Sequence, residues 1–391
     1  MSNVFSDLDP AIRAIFADER QPHGAIAPPI ATSSTFAFAT HADLAARYRG
    51  ETSAPIYSRT ENPTVRLLEE KLALLEGGED AIALGSGMAA ITSAVLALVR
   101  SGDRIVAIRN SYSDAHRFFD LMLPRLGVQT SYVDANDPLA LQAAIRGARL
   151  FYFESPSSYV FDCVDIEYLA RIARIAGAIT LFDNSFASPM RQNPLLHGID
   201  LVVHSMSKYL SGHSDVVAGC VVGSHALIGA IRTGVSPFLG SKLSAFEAWL
   251  VLRGLRTLPI RIEAHERSAA VVAAALAELP QVTRVLRPGV SAPLPHTLRG
   301  AGGLMTVEFD ETVDIPTFCD ALQVFRLAVS WGGFESLALP ADIVVRPPEP
   351  YSRHQPQGIT KRMVRLFIGL EGAEVLRADL LNAITTATKD G

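Results

Sequence analysis

Short apolar runs recur along the first two thirds of the chain, and each ends on small, polar or charged residues. They are "DAIALGS" (80–86), "RIVAIRN" (104–110), "RLFYFES" (149–155), "AITLFDN" (178–184) and "DLVVHS" (200–205). Runs of this length without alternation fit strands buried on both faces. Amphipathic stretches such as "VDIEYLARIARIAGA" (164–178) lie between them. Strands alternating with helices predict an α/β fold with a mostly parallel, doubly wound sheet. Residues 243–279 read as a long helix broken near Pro259. Beyond it, "GGLMTVEFD" (302–310) and "RMVRLFIGL" (362–370) alternate as strands among helical pieces, which predicts a smaller C-terminal α+β domain. Residues 1–55 hold scattered Pro, Thr and Ser without periodicity and read as an extended arm. The expected division is an arm at 1–55, a large domain at 56–245 and a small domain at 246–391.

Composition narrows the function. A chain of 391 residues suits two domains. With 49% hydrophobic and 19% charged residues it is apolar, so part of its surface is expected to be covered by another copy. The net charge is -5, from 35 basic and 40 acidic residues, and no long basic run is present. That excludes the electrostatic footprint of a nucleic-acid binder and leaves small molecules as the expected partners. Cys163, Cys220 and Cys319 stand far apart with no CxxC pair, which argues against a disulfide framework or a structural zinc site. His204, His213 and Asp215 lack a metal-ligand spacing, so no metal is expected. The N-terminal residues carry acids and arginines where a signal peptide needs an unbroken apolar segment, so a cytoplasmic location is expected. The uncharged run at 81–99 is interrupted by Gly85, Ser86 and Gly87, and reads as strand, tight loop and helix rather than a membrane span.

In an open parallel sheet a ligand sits beyond the carboxyl ends of the strands, so the residues that follow each apolar run carry the chemistry. Gly85, Ser86, Gly87 and Met88 open a helix and offer backbone N–H groups to an anion. Tyr112 follows the second run, Glu154, Ser155 and Ser158 the third, Asp183 the fourth, and Ser205, Ser207 and Lys208 the last. A phosphate cradle, an aromatic plate, a carboxylate and a lysine together suit pyridoxal 5′-phosphate (PLP). This cofactor needs a lysine for its Schiff base, a carboxylate for its ring nitrogen and donors for its phosphate. The simpler readings are a solvated lysine, a plain Gly-Ser-Gly turn and a helix-capping Asp183; Lys208 between two apolar runs has little surface available to it.

The motifs "IYSRTENPT" (56–64), "LEGGEDAIALGSGMAAI" (75–91), "ESPSS" (154–158), "DNSFASP" (183–189), "HSMSKYLSGHSD" (204–215), "LRGLRTL" (252–258), "SWGGFESL" (330–337) and "VRLFIGLE" (364–371) run from about residue 55 to the end of the chain. In this order they resemble the Cys/Met-metabolism (transsulfuration) family of PLP enzymes, which includes cystathionine β- and γ-lyases, cystathionine γ-synthase and methionine γ-lyase. The resemblance implies the aspartate-aminotransferase-like fold, fold type I. It implies that Lys208 is the Schiff-base lysine and proton shuttle, that Asp183 partners the ring nitrogen, and that Tyr112 stacks on the ring. Gly87, Met88, Ser205 and Ser207 would cradle the phosphate. Tyr57 and Arg59 match a pair that reaches the cofactor phosphate of a neighbouring subunit, Tyr57 also lying near the reacting substrate, so a homotetramer built as a dimer of dimers is implied. Arg365 would anchor the substrate carboxylate, with Ser330 and Ser158 facing the same end.

Departures from the family pattern bear on the substrate. Ser158 and Tyr159 stand where Asn and Pro are common, as in β-lyase-like members. Ile56 and Val329 replace the acids that hold a distal amino group in cystathionine γ-lyases. Asp114 falls where methionine γ-lyases place a cysteine, so it either attracts a cationic substrate tail or caps the following helix. The expected reaction is β- or γ-elimination from an amino acid, with cystathionine or canavanine as candidate substrates, giving a keto acid, ammonia and the leaving group. A γ-replacement synthase, such as cystathionine γ-synthase or an O-acylhomoserine sulfhydrylase, and methionine γ-lyase are the alternatives.

Overall fold

The computed structural model describes residues 24–344 and 358–388, so residues 1–23 of the expected arm lie outside the described part. Seven strands form the first sheet: β1 (Asp80–Leu84), β2 (Arg104–Ile108), β3 (Gln129–Val133), β4 (Leu150–Glu154), β5 (Ile179–Asp183), β6 (Leu201–Ser205) and β7 (Gly219–Gly223). Their order is β1-β7-β6-β5-β4-β2-β3. The apolar runs at 80–86, 104–110, 149–155, 178–184 and 200–205 are β1, β2, β4, β5 and β6. All five residues of β4 are buried because separate apolar clusters pack on the two faces of the sheet, one built around Ala90, Ile91 and Phe119 and the other around Ile166, Leu169 and Ala173.

Two strands were not read from the pattern. β3, "QTSYV", is an edge strand whose residues are mostly half-exposed, so it has no long apolar run to reveal it. β7 runs antiparallel to both β6 and β1, which makes an otherwise parallel sheet mixed. The reason lies in the connection: residues 206–218 between β6 and β7 hold no helix that could carry the chain back across the sheet, so it reverses beside β6.

A second, smaller sheet has the order β10-β11-β12-β9-β8. Its strands are β8 (Val282–Leu286), β9 (Leu304–Phe309), β10 (Arg326–Leu327), β11 (Leu337–Pro340) and β12 (Met363–Phe367). The expected long helix at 243–279 is two helices, Ala245–Leu255 and Leu258–Ala277. Pro259 is the second residue of the latter. There its missing N–H costs nothing, so the break comes before the proline rather than at it. Among the described residues no helix is long and apolar enough to cross a membrane, and the run at 81–99 is β1 followed by helix α1 (Gly87–Leu98).

Glycine at 219 is required where β7 passes the start of α1, because a Cβ there would lie 2.2 Å from the Ser86 carbonyl oxygen. The Gly219→Ala variant should therefore push β7 away from α1 and lower stability by about 2–4 kcal/mol, read as the shift in urea midpoint relative to wild type.

Candidate active site

Each residue singled out after a strand lies at the same edge of the first sheet, because parallel strands end together. Asp183 closes β5 and is paired in register with Glu154 at the end of β4 and with Val203 on β6. The Ser185 backbone N–H donates to Asp183 Oδ1 at 2.9 Å, and the Ser205 N–H donates to Ser185 Oγ at 2.7 Å, which ties the β5 and β6 ends together. Behind them His204 Nε2 meets Glu76 Oε1 at 2.5 Å, and Asn184 donates to the same oxygen at 2.7 Å. His204 and Glu76 are each 1% exposed, so this pair fixes the sheet edge from within.

Lys208 follows β6 in a turn held by the Lys208 N–H donating to Ser205 O at 3.2 Å and the Gly212 N–H donating to Lys208 O at 2.9 Å. Its ammonium donates to Ser330 Oγ at 2.5 Å and lies 5.6 Å from the centre of the Trp331 ring. Burial lowers its pKa to about 8, the nearby Arg365 guanidinium pushes the same way, and Asp183 opposes both. Gly332 has φ +90, and a Cβ there would come within 2.9 Å of Lys208 Cα, so the loop after Ser330 must carry glycine to lie against the lysine. Tyr209 is 1% exposed and reaches the second sheet, where its hydroxyl accepts the Gly303 N–H at 2.7 Å. The turn bearing Lys208 is thus clamped between the two sheets.

Arg365 is on β12, with its guanidinium donating to Ser330 O at 3.1 Å and standing 5.3 Å from the centre of the Tyr159 ring. Among the described residues it has no acidic partner. Ser330, with φ 77, is a non-glycine residue in the left-handed region; its hydroxyl meets Lys208 while its carbonyl meets Arg365.

At the start of α1 the Ser86 hydroxyl accepts the Ala89 N–H at 2.9 Å, and the Ser86 carbonyl accepts that of Ala90 at 3.1 Å. The N–H groups of Gly87 and Met88 precede any acceptor within the helix. A Cβ at Gly87 would lie 2.9 Å from Ser205 Cβ, so glycine keeps open the space between the helix start and the Ser205 side chain. Tyr112 precedes helix α2 (Ser113–Leu121), and its hydroxyl donates to Asp114 Oδ2 at 3.0 Å. Asp114 Oδ1 accepts from Arg117 at 2.8 Å, and no side chain caps this helix, so Asp114 is not a cap. The Ser158 side chain hydrogen-bonds to Glu154.

Residues 11–385 match the family described as Cys/Met metabolism PLP-dependent enzyme. The chain belongs to this family. It is 41% identical over 376 residues to the L-methionine gamma-lyase of Pseudomonas putida, covering 94% of each chain. It is 35% identical over 386 residues to the cystathionine gamma-synthase of Escherichia coli, covering 97% of this chain and 98% of that one. A crystal structure of cystathionine gamma-lyase from Lactobacillus plantarum complexed with L-serine superposes with a TM-score of 0.88 at 32% identity, covering 97% of this chain and 99% of that one. The chain is therefore a PLP-dependent enzyme of cysteine and methionine metabolism, and the expected cofactor and fold are those of the family.

The donor set of the enzyme fits that cofactor. The cradle at Gly87, Met88 and Ser205 suits a phosphate, Asp183 suits a protonated ring nitrogen, and Lys208 offers an amine on a short tether to Ser330. Ser207 is otherwise engaged, exchanging hydrogen bonds with the backbone of Ala218 at 3.3 and 3.0 Å. Tyr57 and Arg59 are not brought to this edge. Tyr57 is 45% exposed, and Arg59 lies over its ring and donates to Pro237 O at 3.0 Å. Sequence reading gave no role to Glu154, Ser185 or Trp331, although Glu154 carried the same signal as Asp183, a lone acid ending an apolar strand.

Because the folded-state pKa of Lys208 is below its ordinary value, the buried ammonium costs stability at neutral pH, and the cost is relieved as pH rises from about 8 towards its unfolded value. Cofactor-free Lys208→Met should therefore be more stable than wild type by about 2 kcal/mol at pH 7. The difference should shrink by about pH 10, which chemical unfolding at the two pH values will show.

Proposed function

We propose that the enzyme is a lyase that eliminates a sulfur or other heteroatom group from Cβ or Cγ of an amino acid, and that its preferred substrate tail is uncharged, as in methionine. The observation that carries this reading is Arg365, a guanidinium set within the protein beside Lys208 without an acid to neutralise it. Such a cation calls for an anion, and a substrate carboxylate suits its planar fork. Ser330 touches both cations, so a carboxylate on Arg365 brings the substrate Cα near the Lys208 amine.

Held by Lys208, Asp183 and the cradle at Gly87, Met88 and Ser205, PLP would supply an aldehyde for the substrate amine and an electron sink for the bonds to Cα. The chain's own residues do the rest. Lys208 would hold the cofactor at rest, then take the Cα proton and return it further along the substrate; an amine with a pKa of about 8 does both near neutral pH. Ser330 keeps that amine pointed at the substrate. Asp183 provides a fixed negative charge for the ring nitrogen, and Tyr112 covers the ring. Elimination releases the leaving group, and hydrolysis by one water molecule then gives the keto acid and ammonia.

The tail reading rests on three positions. Ile56 and Val329 offer no charge. Asp114 already accepts from the Tyr112 hydroxyl and from Arg117, so its charge is partly neutralised before a cationic tail such as that of cystathionine or canavanine meets it. The 41% identity to a methionine gamma-lyase supports the same tail. A γ-replacement synthase is the second reading, supported by the likeness to cystathionine gamma-synthase. Tyr57 and Arg59 face outward and would complete the site of a second copy, so the working form in this proposal is at least a dimer, built up to a tetramer, and acts in the cytoplasm.

Lys208→Ala should lower turnover at least a thousandfold, roughly the upper part of the range for general base catalysis; turnover within tenfold of wild type contradicts the mechanism. Methionine, cystathionine, canavanine and O-succinylhomoserine, each with and without added cysteine, separate the readings by product. The proposal expects thiol-independent keto acid with methionine in the lead, whereas a rate that requires cysteine supports the synthase. Arg117→Ala should free Asp114 and shift kcat/KM towards cystathionine or canavanine by about tenfold relative to methionine.

A further inference from the structure

The site floor holds a second acid that the reaction above does not use. Glu154 is 8% exposed and is paired in register with Asp183, so two carboxyl side chains leave neighbouring parallel strands on the same face. Two anions so close in a dry setting repel strongly, and one of them is expected to hold a proton. Their surroundings decide which. Burial raises the Asp183 pKa, while hydrogen bonds from Ser185 and the fields of His204 and Lys208 draw it back towards the charged form. Burial raises the Glu154 pKa as well, the Asp183 charge pushes it further up, and hydrogen bonds from the Ser158 hydroxyl and from the backbone N–H groups of Ser158 and Tyr112 offset only part of this.

Glu154 also joins three pieces of chain. Through Tyr112 it reaches the segment that carries the ring expected over the cofactor, and through Ser158 it reaches the loop after β4. On its other side lies a cleft of about 220 Å³ bordered by Arg109, Asp134, Asp162 and Arg284, where a proton can exchange with solvent.

We propose that Glu154 is a positioning residue: as a neutral acid it leaves the negative charge of the site floor to Asp183 alone, and it pins the Tyr112 and Ser158 segments around the cofactor. This rests on the reading of Asp183 as the partner of the ring nitrogen. A second anion at Glu154 would repel the Asp183 charge across the same buried floor. Burial and the Asp183 charge both raise the Glu154 pKa, to about 8. Its folded value therefore stands above its unfolded one, so it contributes stability that is present at acid pH and is lost as pH rises to about 8. The other groups facing it titrate elsewhere or stay paired. Tyr112 and Tyr152 have pKa values raised by burial, and the Lys208 effect runs in the opposite direction and above pH 8. Arg284 is paired with Glu308 and His204 with Glu76, and Asp162 across the cleft is raised by burial in wild type and variant alike.

The test uses the cofactor-free full chain, so it does not depend on the catalytic reading. Melting temperatures of wild type and Glu154→Gln are compared at pH 5, 6, 7 and 8. The proposal expects the variant to gain on wild type by about 2 °C or more between pH 5 and pH 8, since glutamine cannot lose a proton there. Parallel profiles overturn it. If the variant does not fold, the infrared spectrum of wild type decides: a protonated carboxyl band present at pH 6.5 and lost by pH 9 supports the proposal, and no such band overturns it. Asp183→Asn separates this from the cofactor reading. A protonated Glu154 beside a charged Asp183 predicts that in this variant the band is lost at a lower pH than in wild type, because one of the two causes that raise the Glu154 pKa has gone, and a band lost at the same pH overturns the pairing; a failure of PLP to bind wild type would instead sink the Asp183 assignment and leave the band in place.

Discussion

The site depends on keeping the Lys208 amine largely out of water while no carboxylate is bonded to it. A lysine bound to an acid would be a stable ion pair and a poor base; one in free solvent would stay protonated. Here burial and Arg365 lower its pKa to about 8, and its polar contact among the described residues is a neutral hydroxyl, Ser330. The two cations, Lys208 and Arg365, stand at the meeting of the two sheets, and the acids Asp183 and Glu154 stand behind them at the strand ends. Opposite charges are thus held near one another without being allowed to pair, which leaves room for a ligand that bears both an anion and a cation.

The two sheets divide the labour. The first supplies the strand ends on which Asp183, Glu154 and the Lys208 turn are fixed, since parallel strands deliver their last residues to one edge. The second supplies Arg365 on a central strand, flanked by β9 and β11, where its backbone cannot drift. Tyr209 bridges them through Gly303, with Phe367 and Trp331 packed around its ring. One chain nonetheless leaves Tyr57 and a large apolar side chain, Phe238, at the surface, the latter 80% exposed. An apolar composition, with no membrane-spanning helix among the described residues, is consistent with a second copy covering such positions.

How much of this was legible from sequence follows from burial. Strands buried on both faces announced themselves as apolar runs, and the residues just after them were the site residues for the same topological reason. β3 was silent because its side chains are half-exposed, and β7, part of the apolar run after Lys208, could not be oriented because its direction is set by the missing crossover rather than by its own residues. Lys208, Asp183, Gly87 and Met88 were visible as breaks in apolar runs or as a helix opening. What sequence could not give was partnership. Whether Asp114 caps a helix, meets a substrate or binds Arg117 is decided by side-chain direction, and the third holds in the structure. Glu154 was seen as a strand end, but its pairing with Asp183 needs the register.

Borohydride reduction of the PLP-loaded protein, followed by digestion and mass spectrometry, tests most directly whether Lys208 is the amine around which the site is built. A phosphopyridoxyl group on the peptide containing Lys208, and on no other lysine, is the predicted result. Label on Lys71, Lys242, Lys361 or Lys389 in its place, or none at all in a protein that remains folded, would contradict it.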